Sequence, residues 1–174
     1  PDGVWTKDPA AERAATIERY VADPEIRCRA WQARLTSEMN HAEPNLAHHA
    51  VAELASRARL DLLVTQNIDG LHQKAGNAPD KVIEVHGTVW FTRCWDCEDR
   101  RPMDQALERV RAGDADPSCL ECGGILKSDT ISFGQALVPE VIERAMNVSD
   151  ECDVMLAVGS TLSVFPAANC VPRA

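Results

Sequence analysis

The chain has 174 residues, a length that suits one domain or one domain with a small insert. Its apolar share of 45% is enough for a core, and a net charge of −9 with a pI near 5.0 argues against a nucleic-acid-binding surface, which needs a basic face. An acidic enzyme can still attract basic protein segments, a lysine-bearing tail among them. No stretch approaches the roughly 20 apolar residues of a membrane span. No signal peptide is visible, so a cytoplasmic, reducing compartment is expected.

In chain order, residues 9–60 are rich in Ala, Arg and Glu and are broken by Asp23-Pro24 and Glu43-Pro44. Since Pro starts helices or ends the segment before it, three helices are predicted, near 9–22, 24–38 and 44–58. Asp61-Leu62-Leu63-Val64-Thr65 is a short apolar run, as a buried parallel strand would be. Val82–Val85 is a second such strand, Ile131–Phe133 a third, and Pro139–Met146 a helix. Val154–Val158 reads as the clearest buried strand, followed by Gly159-Ser160-Thr161. Strands alternating with helices predict an α/β fold with a parallel sheet. The polar, cysteine-bearing stretch near 94–127 breaks that rhythm and reads as an insert. The expected organisation is sheet domain over 1–90, zinc-binding module over 91–128, and sheet domain again over 129–174.

Seven cysteines is an odd number, and four of them form Cys94-x-x-Cys97 and Cys119-x-x-Cys122 with 21 residues between the pairs. That doubled spacing is close to that of zinc ribbons and reads as metal binding rather than as a disulfide framework. Four sulfur ligands leave no position open for water, so the ion would be structural. Gly123-Gly124 lets backbone pack near sulfur. Cys28, Cys152 and Cys170 stand alone and read as small apolar side chains. His41, His48 and His49 are assigned structural roles, and Trp5, Trp31, Trp90 and Trp95 packing roles.

Thr65-Gln66-Asn67-Ile68-Asp69-Gly70-Leu71-His72 follows a predicted strand, where ligands of open α/β sheets bind. Polar side chains in a row there need partners. A ligand with amide and hydroxyl groups would supply them, and an Asx turn capping the next helix is the bland alternative. His86 ends a second strand beside Gly87, and an imidazole can act as a base near neutral pH.

Together these motifs, followed by Phe133-Gly134 and by Val158-Gly159-Ser160-Thr161-Leu162 with Pro166-Ala167-Ala168, resemble the sirtuins in order and spacing. Pro1–Trp5 and Pro44-Asn45 with His48 are similar to that family too. The resemblance implies a Rossmann-like large domain with a small inserted zinc-ribbon domain. It implies NAD as co-substrate, structural Zn²⁺, and removal of acetyl or other neutral acyl groups from protein lysine. The products would be nicotinamide and an O-acyl-ADP-ribose. By the same likeness His86 is the general base, and Gln66, Asn67 and Asp69 line the nicotinamide and ribose pocket. Gly159, Ser160 and Thr161 approach phosphate or ribose. Ile131, Phe133, Gly134 and Gln135 receive the acylated peptide as an added strand, with Leu137 and Val138 extending the wall.

The chain departs from the family in three ways. Its Gly-rich NAD loop and far adenine-binding strands are not in this sequence, so the piece as given is expected to be inactive and to bind NAD poorly. Gln135 follows Phe133-Gly134 where Glu is common, and Lys127-Ser128 stands where Arg-Pro is common. Trp31 and Arg34 align with the Tyr-x-x-Arg pair of desuccinylase-type members, and without the Tyr no acidic-acyl preference is expected. The competing readings are a mono-ADP-ribosyltransferase of the same family, a non-catalytic zinc-ribbon binding module, and an inert fragment.

Overall fold

A computed structural model describes residues 16–174. The predicted positions 1–15, Trp5 among them, lie outside the described residues. Helices α1 (Ile17–Ala22), α2 (Pro24–Leu35) and α3 (Leu46–Ser56) precede β1 (Leu63–Thr65), α4 (Leu71–Lys74) and β2 (Val82–Glu84). Then come β3 (Gly87–Cys94), β4 (Arg100–Pro102), α5 (Met103–Arg111), β5 (Leu126–Thr130), α6 (Pro139–Glu151) and α7 (Cys170–Arg173). The chain divides into two compact units, one holding residues 16–42 and 88–136, the other residues 43–87 and 137–174.

The first unit is built on a three-stranded sheet in the order β4-β3-β5. β3 and β4 run antiparallel, with Phe91 opposite Pro102 and Arg93 opposite Arg100. Helix α2 begins at Pro24, whose missing N–H costs nothing at a first helical position, and Asp23 caps it by accepting from the Glu25 N–H at 2.9 Å. Helix α5 buries Met103, Ala106, Leu107 and Val110, the i, i+3, i+4, i+7 stripe of an amphipathic helix. That stripe packs with Trp31, Leu126, Cys94 and Cys119 into one core. Trp31 is fully buried, as a packing residue should be, whereas Trp90 and Trp95 are 39% and 42% exposed.

The second unit holds the parallel pair β1–β2, in which Leu63, Val64 and Thr65 face Val82, Ile83 and Glu84. Ile83 and Val85 form its core with Ala145 of α6, Ala167 and Cys170. Helix α3 starts on a capping box: Asn45 Oδ1 accepts from the Ala47 and His48 N–H groups, and His48 Nδ1 accepts from the Asn45 N–H. That gives His48 the structural role expected of it. Cys170 is buried beside Met146, while Cys28 and Cys152 are only partly buried.

Two elements differ from the sequence reading. Val154–Val158 forms no strand, and Val154, Leu156 and Val158 are 85%, 78% and 74% exposed. An apolar run becomes a strand only by pairing, and β1 and β2 pair only with each other among the described residues. Ile131–Phe133 is not a strand either; β5 stops at Thr130, and Phe133 makes a single parallel bridge to Thr16. Conversely, β4 and α5 lie wholly within the stretch read only as an insert, and β3 and β5 overlap its two ends.

Candidate functional site

The four motif cysteines converge. Their sulfurs all lie within 4.8 Å of one another, with Cys94–Cys122 at 3.5 Å and Cys97–Cys119 at 3.7 Å. Backbone N–H groups of Asp96 and Cys97 point at Cys94 Sγ, that of Glu121 at Cys119 Sγ and that of Gly124 at Cys122 Sγ. Such donors stabilise thiolates. Burial pushes the Cys94 thiol up, but the Cys97 and Asp96 N–H donors and the neighbouring thiols outweigh it and bring Cys94 down to about 7. At Cys97 the Asp99 N–H acts to lower the value, yet the neighbouring sulfurs, Cys122 first, push it up to about 12. A divalent ion would displace the thiol protons, and four sulfurs at these separations fit tetrahedral zinc bonds of about 2.3 Å.

Asp96 is a part of this site that the sequence reading missed. Its Oδ2 accepts from the Ile125 N–H at 3.0 Å, joining one knuckle to the backbone after the other. A Cβ at Gly124 would sit 2.0 Å from that oxygen. The Gly-Gly pair was a visible signal of tight backbone packing, but an acidic residue between cysteines looks merely solvated.

In the second unit the loops after β1 and β2 lie side by side, because the parallel register puts Thr65 opposite Glu84. The Val85 N–H continues the ladder to the Thr65 carbonyl at 3.1 Å. One residue on, His86 Nδ1 lies 3.1 Å from the Gln66 carbonyl oxygen. A carbonyl can only accept, so Nδ1 carries the proton, and Nε2 keeps the lone pair that a base needs. Gln66 Nε2 reaches Ser160 Oγ at 3.4 Å, across 94 positions of sequence. Gln66, His86 and Ser160 are thus brought together.

Asn67 and Asp69 share the β1 loop. The Asn67 N–H donates to Thr65 Oγ1, and Asp69 Oδ1 accepts from the Leu71 N–H at 2.9 Å. The Asx turn offered as the alternative is therefore present at Asp69, with Gly70 at φ 68° completing it. Asn67 is left exposed. Ser160 Oγ accepts from the Leu162 N–H, and Gly159, Ser160 and Thr161 are exposed. His72 packs its ring 4.8 Å from that of His48, and burial first, then His48, lower its pKa.

Ile131 leads into a tight turn of the first unit that holds Phe133, Gly134 and Gln135. The Gln135 N–H donates to the Ser132 carbonyl, its Oε1 accepts from the Ser132 N–H, and Gly134 takes φ 80°. Phe133 is 41% exposed, and its carbonyl accepts from the Ile17 N–H at 2.9 Å. Nearby, Arg34 lies over the Trp31 ring, and its Nη2 donates to Ser128 Oγ at 2.8 Å.

The model of the Sir2 family matches residues 1–166. The chain belongs to the Sir2 family. Among Sir2-related proteins, it is 49% identical over 169 residues to NAD-dependent protein deacetylase 2 of Streptomyces coelicolor, which covers 97% of this chain and 70% of that protein. It is 36% identical to NAD-dependent protein deacylase 2 of Pyrobaculum aerophilum, over 99% of this chain and 66% of that protein. A solved Sir2 structure with a bound propionylated peptide superposes with a TM-score of 0.84 at 30% identity, covering 99% of this chain and 73% of its own. Another, with a p53 peptide and NAD⁺, superposes at 0.81 and 32% identity, over 91% of this chain and 64% of its own. The chain thus spans about two thirds of the length of the Sir2 proteins it matches. The Sir2 fold accounts for the parallel pair in one unit and the cysteine cluster in the other.

Proposed function

We propose that this chain carries the chemistry of an NAD-dependent protein-lysine deacylase acting on neutral acyl groups, with His86 as the general base. The carrying observation is the hydrogen bond from His86 Nδ1 to the Gln66 carbonyl. It fixes the tautomer and turns the imidazole so that Nε2 is the available base at the carboxyl end of the parallel pair. Gln66, Asn67 and Asp69, on the adjoining strand end, would bind the nicotinamide and ribose side of NAD, and Gly159, Ser160 and Thr161 its phosphate or ribose oxygens. The names of the Sir2 relatives support this reading, as do the solved relatives with peptide and NAD⁺.

In the proposed reaction the acyl oxygen attacks the ribose carbon as nicotinamide leaves. His86 Nε2 then takes a proton from a ribose hydroxyl, whose oxygen bonds the acyl carbon. The proton passes to the lysine nitrogen, the acyl C–N bond breaks, and a water adds to the acyl carbon. The original acyl oxygen thus stays on the ribose carbon as a hydroxyl, and the acyl group remains on the neighbouring oxygen. Lysine is released, and zinc at Cys94, Cys97, Cys119 and Cys122 holds structure without joining the chemistry. Ile131, Phe133, Gly134 and Gln135 would hold the acyl-lysine peptide by strand addition. We place the protein in the cytoplasm; the described cysteines are all free, and no described helix is long and apolar enough to cross a membrane.

The test is made in the full-length protein. His86→Ala is expected to lower deacylation about 10²–10⁴-fold while exchange of labelled nicotinamide into NAD survives. Asn67→Ala is expected to damage both, since it acts at bond cleavage. A folded His86 variant with near-normal deacylation overturns the assignment.

A further inference from the structure

Strand β5 carries a buried lysine with no part in the chemistry above. Lys127 is 4% exposed, and its ammonium donates to the carbonyls of Ser128 at 2.8 Å and Thr130 at 2.5 Å. The groups facing it are mostly of its own sign. Arg34 approaches from α2 and binds Ser128 Oγ, and Arg93 approaches from β3. Asp129 favours the ammonium, but its two oxygens are already taken by Arg93 and Arg100. Burial first, then Arg34, bring Lys127 down to about 8.

A buried cation among cations is costly, and an apolar side chain of the same length would fill the space without that cost. What the ammonium does and an apolar chain could not is tie two carbonyls two residues apart, which point to the same side of a strand. Those carbonyls lie in the last three residues of β5, and the chain passes from Thr130 directly into Ile131–Gln135. The far end of that strip is already fixed by the Ile17–Phe133 bond and by the Ser132–Gln135 turn. Lys127 fixes the near end. Ser128 Oγ, 2.7 Å from Thr130 Oγ1, stiffens the same bend.

We propose that Lys127 is a positioning residue for the acylated peptide: by clamping the Ser128 and Thr130 carbonyls it holds the strand end from which Ile131–Gln135 receives substrate backbone. The proposal rests on that strip being the peptide site.

The test is steady-state kinetics of the full-length protein with an acetyl-lysine peptide free of groups titrating near pH 8. Lys127→Met is expected to raise the peptide KM about tenfold, with the NAD KM and kcat at saturating peptide unchanged. In the wild type the peptide KM should also rise as pH passes through 8, because a neutral amine binds the carbonyls less strongly. The variant should lose that rise. An unchanged peptide KM in a folded variant overturns the proposal, and should the variant not fold, a flat wild-type profile from pH 7 to 9 does the same. Absence of deacylation in the wild type would instead sink the functional reading, and this one with it.

Discussion

The cysteine cluster and the loops after β1 and β2 solve opposite problems. In the cluster, four like groups are packed against one another, and every backbone turn supplies an N–H aimed at sulfur. In the β1–β2 loops, one backbone bond orients His86, and Asn67 stays exposed, its side chain making no hydrogen bond among the described residues. The difference teaches where each site stores its specificity. A structural ion is held by donors that have no other use, so its site is complete in its ligands. A reactive site must leave its working atoms open, so its order comes from the backbone beneath them.

The sharpest way to break the comparison is to take away the metal. Replacing Cys119, one of the two buried sulfurs, by Ser should abolish zinc binding and unfold the first unit, because structural zinc binding is worth about 10–16 kcal/mol. Zinc content by elemental analysis and thermal melting would show it, and a strong chelator should reproduce it in the wild type. A Cys119→Ser protein that keeps zinc and its melting temperature would show that the cluster is not a closed metal site.

A smaller effect separates the buried charge from the metal within the first unit. The folded-state pKa of Lys127 lies near 8, below its unfolded value of 10.5. Below 8 both states hold the proton, and the folded state carries the full burden of a buried charge. Between 8 and 10.5 the unfolded chain binds more protons, so stability rises with pH. The shift corresponds to roughly 3 kcal/mol across that window. Relative to Lys127→Met, the wild type should therefore gain stability from pH 8 to 10.5, by denaturant titration at each pH. Parallel pH curves for the two proteins would show that the ammonium is not destabilised by its surroundings.

How much of this was legible in the sequence follows from range. The zinc ligands were readable because two-residue gaps put both sulfurs of a knuckle on one ion whatever the rest of the chain does. His86 and Gln66 were readable as strand-end residues, but not the bond that sets the tautomer, which depends on the β1–β2 register. Val154–Val158 looked like the best strand because its composition is apolar, yet a strand is a relation between two segments. Strands β3–β5 carry charged residues such as Arg93, Arg100 and the largely buried Asp129, and so gave no clean apolar run to read. Lys127 was invisible for a related reason: lysine is almost never fully buried, and only its neighbours show that it is.

The finest test concerns Asp96 and Gly124, and it asks whether the cluster's order extends one layer past its ligands. Gly124 does not need glycine for its backbone, since its φ is not positive. It needs glycine for space: a methyl there would overlap Asp96 Oδ2 at 2.0 Å. Gly124→Ala must therefore drive the carboxylate away and leave the Ile125 N–H without its acceptor. A lost bond to a charged group costs about 1.5–3 kcal/mol, with the four sulfurs in place and zinc retained. Asp96→Ala alone removes the same bond. If the methyl acts only by displacing the carboxylate, Gly124→Ala should cost little more in the Asp96→Ala background, giving a double-mutant coupling about as large as either single loss. Additive losses would mean that Gly124 matters through something other than Asp96. Loss of zinc from either single variant would make that carboxylate part of the metal site itself, contrary to a site completed by its four sulfurs.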